Sequence, residues 1–198
     1  MFSSQNKNSD LIFTLYSDER TVFRLKDVAM LAGETNADSL SWKLNYYVRS
    51  GRLENPRKGL YCKPNYNREE LAVRIFAPAY VSLEYVLRKE GIVFQYDSRI
   101  TVISYLNRTV EIDGQVYAFR KVKNEVLSAQ QGITQQGNTL TFATPERAFL
   151  DMVYLNGEMY FDYLRPLDRE KIEQILPIYK SKVLEKRAIK LLENDRFR

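Results

Sequence analysis

"SLSWKLNYYVRSGRLENPRKGLY", residues 39–61, carries two kinds of local order. At about 100° per residue, Leu40, Leu44, Tyr47 and Val48 gather on one side of a helix, the side that packs. Trp42, Asn45, Tyr46 and Arg49 fall on the opposite side, with Ser39 and Lys43 at its border. The helix thus has a second face that combines an indole, an amide, a phenol and cations. Gly51 ends it. Two alternating strands are expected next, Arg52-Leu-Glu and Leu60-Tyr-Cys-Lys, joined through Asn55-Pro-Arg-Lys-Gly with Pro56 and Gly59 as turn residues.

Upstream, residues 9–17 read as a first helix with Ser9 or Asp10 as N-cap, and residues 21–23 as a very short strand. Leu25, Val28, Ala29 and Ala32 then recur at i, i+3, i+4 and i+7, which predicts a second helix stopped by Gly33. Helix, short strand, helix, helix, hairpin is the order of a winged helix-turn-helix. In that architecture the third helix reads base edges in the major groove from its outer face. Asn45 suits adenine, Arg49 and Lys43 suit guanine, and the edges of Trp42 and Tyr46 suit a thymine methyl. Ser39 and Ser41, near the helix start, suit phosphates. Arg57 and Lys58 at the hairpin tip are placed for flanking phosphates or the minor groove. The alternative is a winged-helix protein-interaction module without DNA specificity, with Trp42 as its anchor. A plain solvated face is the third reading of the same residues.

Pro64-Asn-Tyr-Asn67 marks a boundary, which divides the chain into residues 1–65 and 66–198. Beyond it, helices are expected over Arg68–Phe76 and Ser82–Glu90, the latter capped by Ser82. Strands are expected at Ile92–Gln95, Thr101–Tyr105, Thr109–Ile112, Val116–Val122 and Thr139–Phe142, with an Asp113-Gly114 hairpin turn. Thr144 caps a helix to Leu155 with Pro145 in its first position, and Arg147 and Asp151 are spaced for a weak i, i+4 pair. Two more helices, about 168–176 and 180–194, are broken at Pro177. The fold class is α+β: a winged helix-turn-helix, then an α+β unit with a small antiparallel sheet and flanking helices.

Composition narrows the chemistry. The 198 residues include no histidine and one cysteine, Cys62, which excludes His-based catalytic triads, internal disulfides and multi-thiolate metal sites. Cys62 reads as a small buried strand residue. No apolar run is long enough to span a membrane, and a cytoplasmic protein is expected. The net charge is +5; residues 1–65 hold ten Lys/Arg against seven Asp/Glu, and Arg49, Arg52, Arg57 and Lys58 lie within ten positions. That clustering points to an anionic partner more strongly than the total does. Glu111 and Asp113 at period two, opposite Lys121 and Lys123, are the best catalytic candidates. A metal-dependent nuclease needs an acidic-x-Lys triplet where Phe119-Arg-Lys121 stands, so the pattern fails. No glycine-rich phosphate loop and no nucleotidyltransferase signature occur. No enzyme activity, catalytic residue, metal or cofactor is expected.

The hairpin "SGRLENPRKGLYCKP" (with Gly51, Leu53, Arg57 and Gly59), then "REELAVRIFAPAYVSLEYVLRKEGIV", a β-rich stretch and "TPERAFLDMVYL" together resemble AbiEi-type antitoxins of bacterial type IV toxin–antitoxin and phage-abortive-infection systems. The resemblance spans roughly residues 10–160. It implies a winged-helix regulator that represses its own operon at promoter repeats in double-stranded DNA. It also implies a C-terminal unit that counteracts a nucleotidyltransferase-like toxin. A homodimer is the assembly considered, and no membrane partner is implied.

Overall fold

A computed structural model describes residues 6–137, 139–157 and 159–194. The first segment contains α1 (Asn6–Ser17), β1 (Val22–Arg24), α2 (Leu25–Ala32), α3 (Ala37–Arg49), β2 (Glu54–Arg57) and β3 (Leu60–Cys62). α1 begins before the expected caps Ser9 and Asp10, whose side chains lie outside the described part. α2 packs with Leu25, Val28 and Ala29 as expected, but Ala32 is exposed and Leu31 takes its place against the core. The cap of α3 is Asn36, whose side chain accepts from the backbone N–H groups of Asp38 and Ser39 at 3.1 and 3.0 Å.

The first expected hairpin strand is displaced: β2 starts at Glu54 rather than Arg52 and includes Pro56. Pro56 is tolerated because β2 is the edge of a three-stranded sheet ordered β1-β3-β2. The register shifts between Glu54 and Arg57, and the Asn55 amide spans the irregularity by donating to the carbonyls of Arg57 and Leu60. The turn thereby tightens to Lys58-Gly59, where Gly59 adopts φ +83°.

This small sheet is a wall between two cores. Strand alternation sends Phe23 and Tyr61 into a cluster with Leu11, Leu15, Leu40 and Leu44. The same alternation sends Val22, Leu60 and Cys62 into the larger cluster built mainly from residues 71–192. Cys62 is buried as expected, and burial, followed by the nearby Glu54, Glu70 and Asp113 carboxylates, pushes its thiol up.

The rest of the chain forms α4 (Arg68–Ile75), β4 (Ala79–Val81), α5 (Glu84–Lys89), β5 (Ile100–Ser104), β6 (Arg108–Ile112), β7 (Gln115–Lys121) and α6 (Asn124–Ser128). These are followed by β8 (Ile133–Gln136), β9 (Leu140–Ala143), α7 (Pro145–Asn156), α8 (Arg169–Ile175), a 3₁₀ turn at Leu176–Tyr179 and α9 (Lys182–Asn194). The protein is therefore α+β, but the second sheet is neither small nor antiparallel. It has six strands in the order β6-β7-β5-β4-β9-β8, with β5/β7 and β4/β9 parallel and the other neighbours antiparallel. Two strands escape sequence reading. β4 has only three residues, and β8 carries the polar run Thr134-Gln135-Gln136 on an exposed edge. Ile92–Gln95, expected as a strand, is a loop whose Ile92 carbonyl accepts from the backbone of Asp162 and Tyr163. The Asp113-Gly114 turn forms as expected, with both residues at positive φ.

α7 lies at the centre, packed by β9, α5, α8 and α9, and every residue from Glu146 to Val153 is buried. Thr144 and Pro145 open it as expected, with Thr144 Oγ1 accepting from the Arg147 N–H at 3.3 Å. The expected weak Arg147–Asp151 pair is instead fully buried, with Nε 3.4 Å from Oδ1. Asp151 also accepts from the hydroxyls of Tyr80, Ser82 and Tyr179, while Arg147 donates to Tyr80 and to the carbonyls of Gln131 and Val126. Ser82 is thus bonded to Asp151 rather than capping α5, whose cap position is Leu83. Burial pushes the Asp151 carboxyl up, and Arg147 and the three hydroxyls pull against that shift. Gly132 must be glycine because a Cβ there would stand 2.8 Å from Cβ of Arg147 and 2.7 Å from Ile175.

Removing one member of a buried pair strands the other charge, so Arg147→Ala is expected to cost about 3–5 kcal/mol. Thr144→Ala is expected to cost only about 1 kcal/mol. Urea unfolding followed by circular dichroism checks the order, and an equal or smaller loss for Arg147→Ala would contradict the network.

Candidate nucleic-acid interface

The apolar side of α3 is filled as its spacing predicts: Leu40, Leu44 and Tyr47 are buried and Val48 packs beside them. The opposite side is correspondingly bare. Trp42 is 78% exposed and Tyr46 61%, and Asn45 and Arg49 are exposed with them. Among the described residues, the side chains of Trp42, Asn45, Arg49 and Lys58 take part in no hydrogen bond or ion pair. The Tyr46 ring is tilted 60° against that of Tyr47, with ring centroids 5.8 Å apart.

The two ends of the helix differ in charge. Its first turn carries exposed Asp38, and Lys43 is engaged by Glu34 at 3.3 Å. Ser39 and Ser41 are half-buried on this acidic end, and the backbone N–H of Ser39 is already taken by Asn36. The far end carries Arg49, followed by exposed Arg52, whose backbone carbonyl accepts from the Tyr16 hydroxyl at 2.7 Å. That bond ties α1 to the start of the hairpin.

At the hairpin, the two expected cations separate. Lys58 is exposed at the turn. Arg57 is half-buried, with its guanidinium 4.8 Å from the centroid of the Phe76 ring. Sequence reading missed Phe76 as the shelf for Arg57, because it lies just after α4 with nothing local to link it to the hairpin. Four contacts hold this arrangement. Glu70 accepts from the N–H and hydroxyl of Thr21 at 2.8 and 2.6 Å, Arg74 pairs with Asp27 at 3.1 Å, and Arg24 donates to the Arg74 carbonyl. These fix α4 against β1 and α2, and the hairpin joins them through its pairing with β1, the Leu25 N–H donating to the Gly59 carbonyl at 3.3 Å, and Arg57 on Phe76.

Glu111 and Asp113 do not form one cluster with Lys121 and Lys123. Asp113 sits in the β6–β7 turn and accepts from the Tyr66 hydroxyl at 2.6 Å. Glu111 faces Val116 in register, while Lys121 lies beyond the end of β6 beside Ser104, and Lys123 precedes α6. Among the described residues, no group of three or more His, Cys, Asp or Glu side chains could hold a metal ion. No helix among them is long and apolar enough to cross a membrane.

No family model matches the chain, and no curated protein matches it. Among solved structures it is similar to the crystal structure of the RV2827C protein from Mycobacterium tuberculosis, with a TM-score of 0.53 and 16% identity over 98% of this chain and 78% of that one. At that identity the likeness is one of fold alone.

Because Trp42 is the only tryptophan, its fluorescence reports this face directly. The free protein is expected to show the red-shifted emission of solvated indole and full quenching by iodide at every protein concentration. Emission that moves to the blue on concentration would instead place Trp42 in a contact between copies.

Proposed function

We propose that this chain is a sequence-specific DNA-binding regulator that represses its own operon, with residues 1–65 acting as a winged helix-turn-helix. The observation that carries the reading is the outer face of α3. It presents an amide and a guanidinium, Asn45 and Arg49, beside two exposed aromatics, with none of these polar groups engaged within the described residues. Asn and Arg are the side chains whose donor and acceptor pattern fits adenine and guanine edges. Asp38 and Glu34 disfavour phosphates at the start of α3, so backbone contacts fall to its far end and to the hairpin, where Arg49, Arg52 and Lys58 are exposed. Arg57 is placed behind Lys58 and steadies the tip through Phe76.

The resemblance of the hairpin, the α4–α5 stretch and the "TPERAFLD" block to AbiEi-type antitoxins extends the proposal. On it, the chain is the antitoxin to a nucleotidyltransferase-like toxin in a type IV phage-defence system, and it is not itself an enzyme. The second reading, a protein-interaction module, draws on the 78% exposure of Trp42. An isolated exposed indole serves protein contacts as well as thymine methyls.

Gel-shift titration against the DNA upstream of its own gene tests the first half. Binding is expected to be at least about 10³-fold tighter than to scrambled duplex; equal, weak affinity for both sinks the reading. Asn45→Ala and Arg49→Ala should each cost about 1–3 kcal/mol and relax sequence preference. Lys58→Ala should weaken all duplexes alike and reduce the salt slope by about 1. For the second half, co-expression should restore growth to cells that express a neighbouring nucleotidyltransferase-like gene, and persistent toxicity would remove the antitoxin role.

A further inference from the structure

The hairpin tip, the start of α2 and the end of α4 converge on an open cleft of about 390 Å3 that no residue of α3 lines. Arg24, Lys26, Arg57, Lys58 and Arg74 supply its charge, and Phe76 and Tyr105 its aromatic surface. Arg108 stands over the same Phe76 ring as Arg57, at 5.8 Å from the centroid. Among the described residues, the one carboxylate bonded to any of these cations is Asp27, which is occupied by Arg74 and by the backbone N–H of Arg24. Burial, partly offset by Asp27, holds the Arg74 guanidinium below the usual arginine range. Its Nε is buried without a hydrogen-bond partner.

Arg108 is exposed and flanks the cleft rather than lining it, so the Phe76 ring brings two like charges, Arg57 and Arg108, to one edge of the cleft. Among the described residues no carboxylate is bonded to Arg57 or Arg108, so an anion at this edge of the cleft gains from nearby uncompensated charge. Arginine forks match phosphate oxygens in geometry, and lysines add point charge. The cleft's volume lies in the range of small-molecule sites, roughly 300–1,000 Å3, and Arg24, Arg57 and Arg74 are half-buried in it while Lys26, Lys58 and Arg108 are exposed. Tyr105, 43% exposed, offers a face for a flat ring.

We propose that this cleft binds a small polyphosphorylated ligand of nucleotide size, its phosphates held by Lys26, Arg57 and Lys58 with Arg108 flanking them beside Phe76, and its ring placed against Tyr105. The site is separate from the base-reading face and shares with the hairpin the run Arg57–Leu60. Occupancy would therefore be felt at the hairpin tip.

Calorimetric titration of the full chain with ATP and with pyrophosphate, at physiological salt, tests it. One equivalent of ATP is expected to bind, and pyrophosphate more weakly. The double variant Lys26→Ala/Arg108→Ala should weaken both by at least about tenfold, as expected for lost charge-assisted hydrogen bonds, and leave the sequence preference of duplex binding unchanged. Tyr105→Ala should lower ATP affinity without altering that of pyrophosphate. Absence of binding by both compounds overturns the proposal, as does ATP affinity unchanged in the double variant. Loss of duplex affinity in that variant, with no ATP binding by the parent, would assign the cleft to the DNA backbone and overturn it too. Asn45→Ala/Arg49→Ala should bind ATP normally, so a failed gel shift with intact ATP binding rejects only the DNA reading.

Discussion

A single buried carboxylate, Glu70 on α4, sets how the first segment of the chain meets the second. It accepts from the N–H and hydroxyl of Thr21 just before β1 and from the hydroxyl of Thr139 just before β9. A desolvated carboxylate is tolerated only with such a set of donors, and these come from two distant parts of the chain, Thr21 and Thr139. One turn further along α4, Arg74 reaches Asp27 in α2. With these contacts made, Phe76 comes to rest under Arg57 and the hairpin is held by more than its own strand pairing. The exposed face of α3 and the basic cleft both depend on that placement: the first is left uncovered by it, and the second is created by it.

The buried Arg147–Asp151 network plays a comparable part in the second segment. It links α7 to β4 through Tyr80, to the approach of α5 through Ser82 and to the 3₁₀ turn through Tyr179. Buried pairs of this kind add little net stability against an apolar alternative. What they supply is register, because Asp151 is satisfied only when all three hydroxyls arrive together.

Features that depend on neighbours in the chain were legible in the sequence. The two faces of α3, the Thr144-Pro145 start of α7, the Asp113-Gly114 turn and the break at Pro177 all follow from local spacing and turn chemistry. Features that depend on distant partners were not. β4 is too short to show a period, and its place at the centre of a mixed sheet is set by β5 and β9. Ser82 has the sequence position of a cap, but Asp151, far along the chain, competes successfully for its hydroxyl. For the candidate site, helical spacing was enough to pick out Trp42, Asn45, Tyr46 and Arg49. The capture of Arg57 by Phe76, and the convergence of Arg24, Lys26, Arg74 and Arg108, had no local signal, because those residues are scattered over more than eighty positions.

The wall formed by β1 and β3 bears on how such a chain can be recombined. A DNA-reading unit joined to its neighbour by a flexible tether can be exchanged between proteins like a cassette. Here Val22, Leu60 and Cys62 belong to the neighbour's core while Phe23 and Tyr61, beside them on the same strands, belong to the smaller core around α1–α3. A graft of residues 1–65 onto a foreign partner would carry one apolar sheet face with nothing to cover it. Successful grafts would have to take α4 as well, with Glu70, Arg74 and the Phe76 that follows. The unit of inheritance is then longer than residues 1–65.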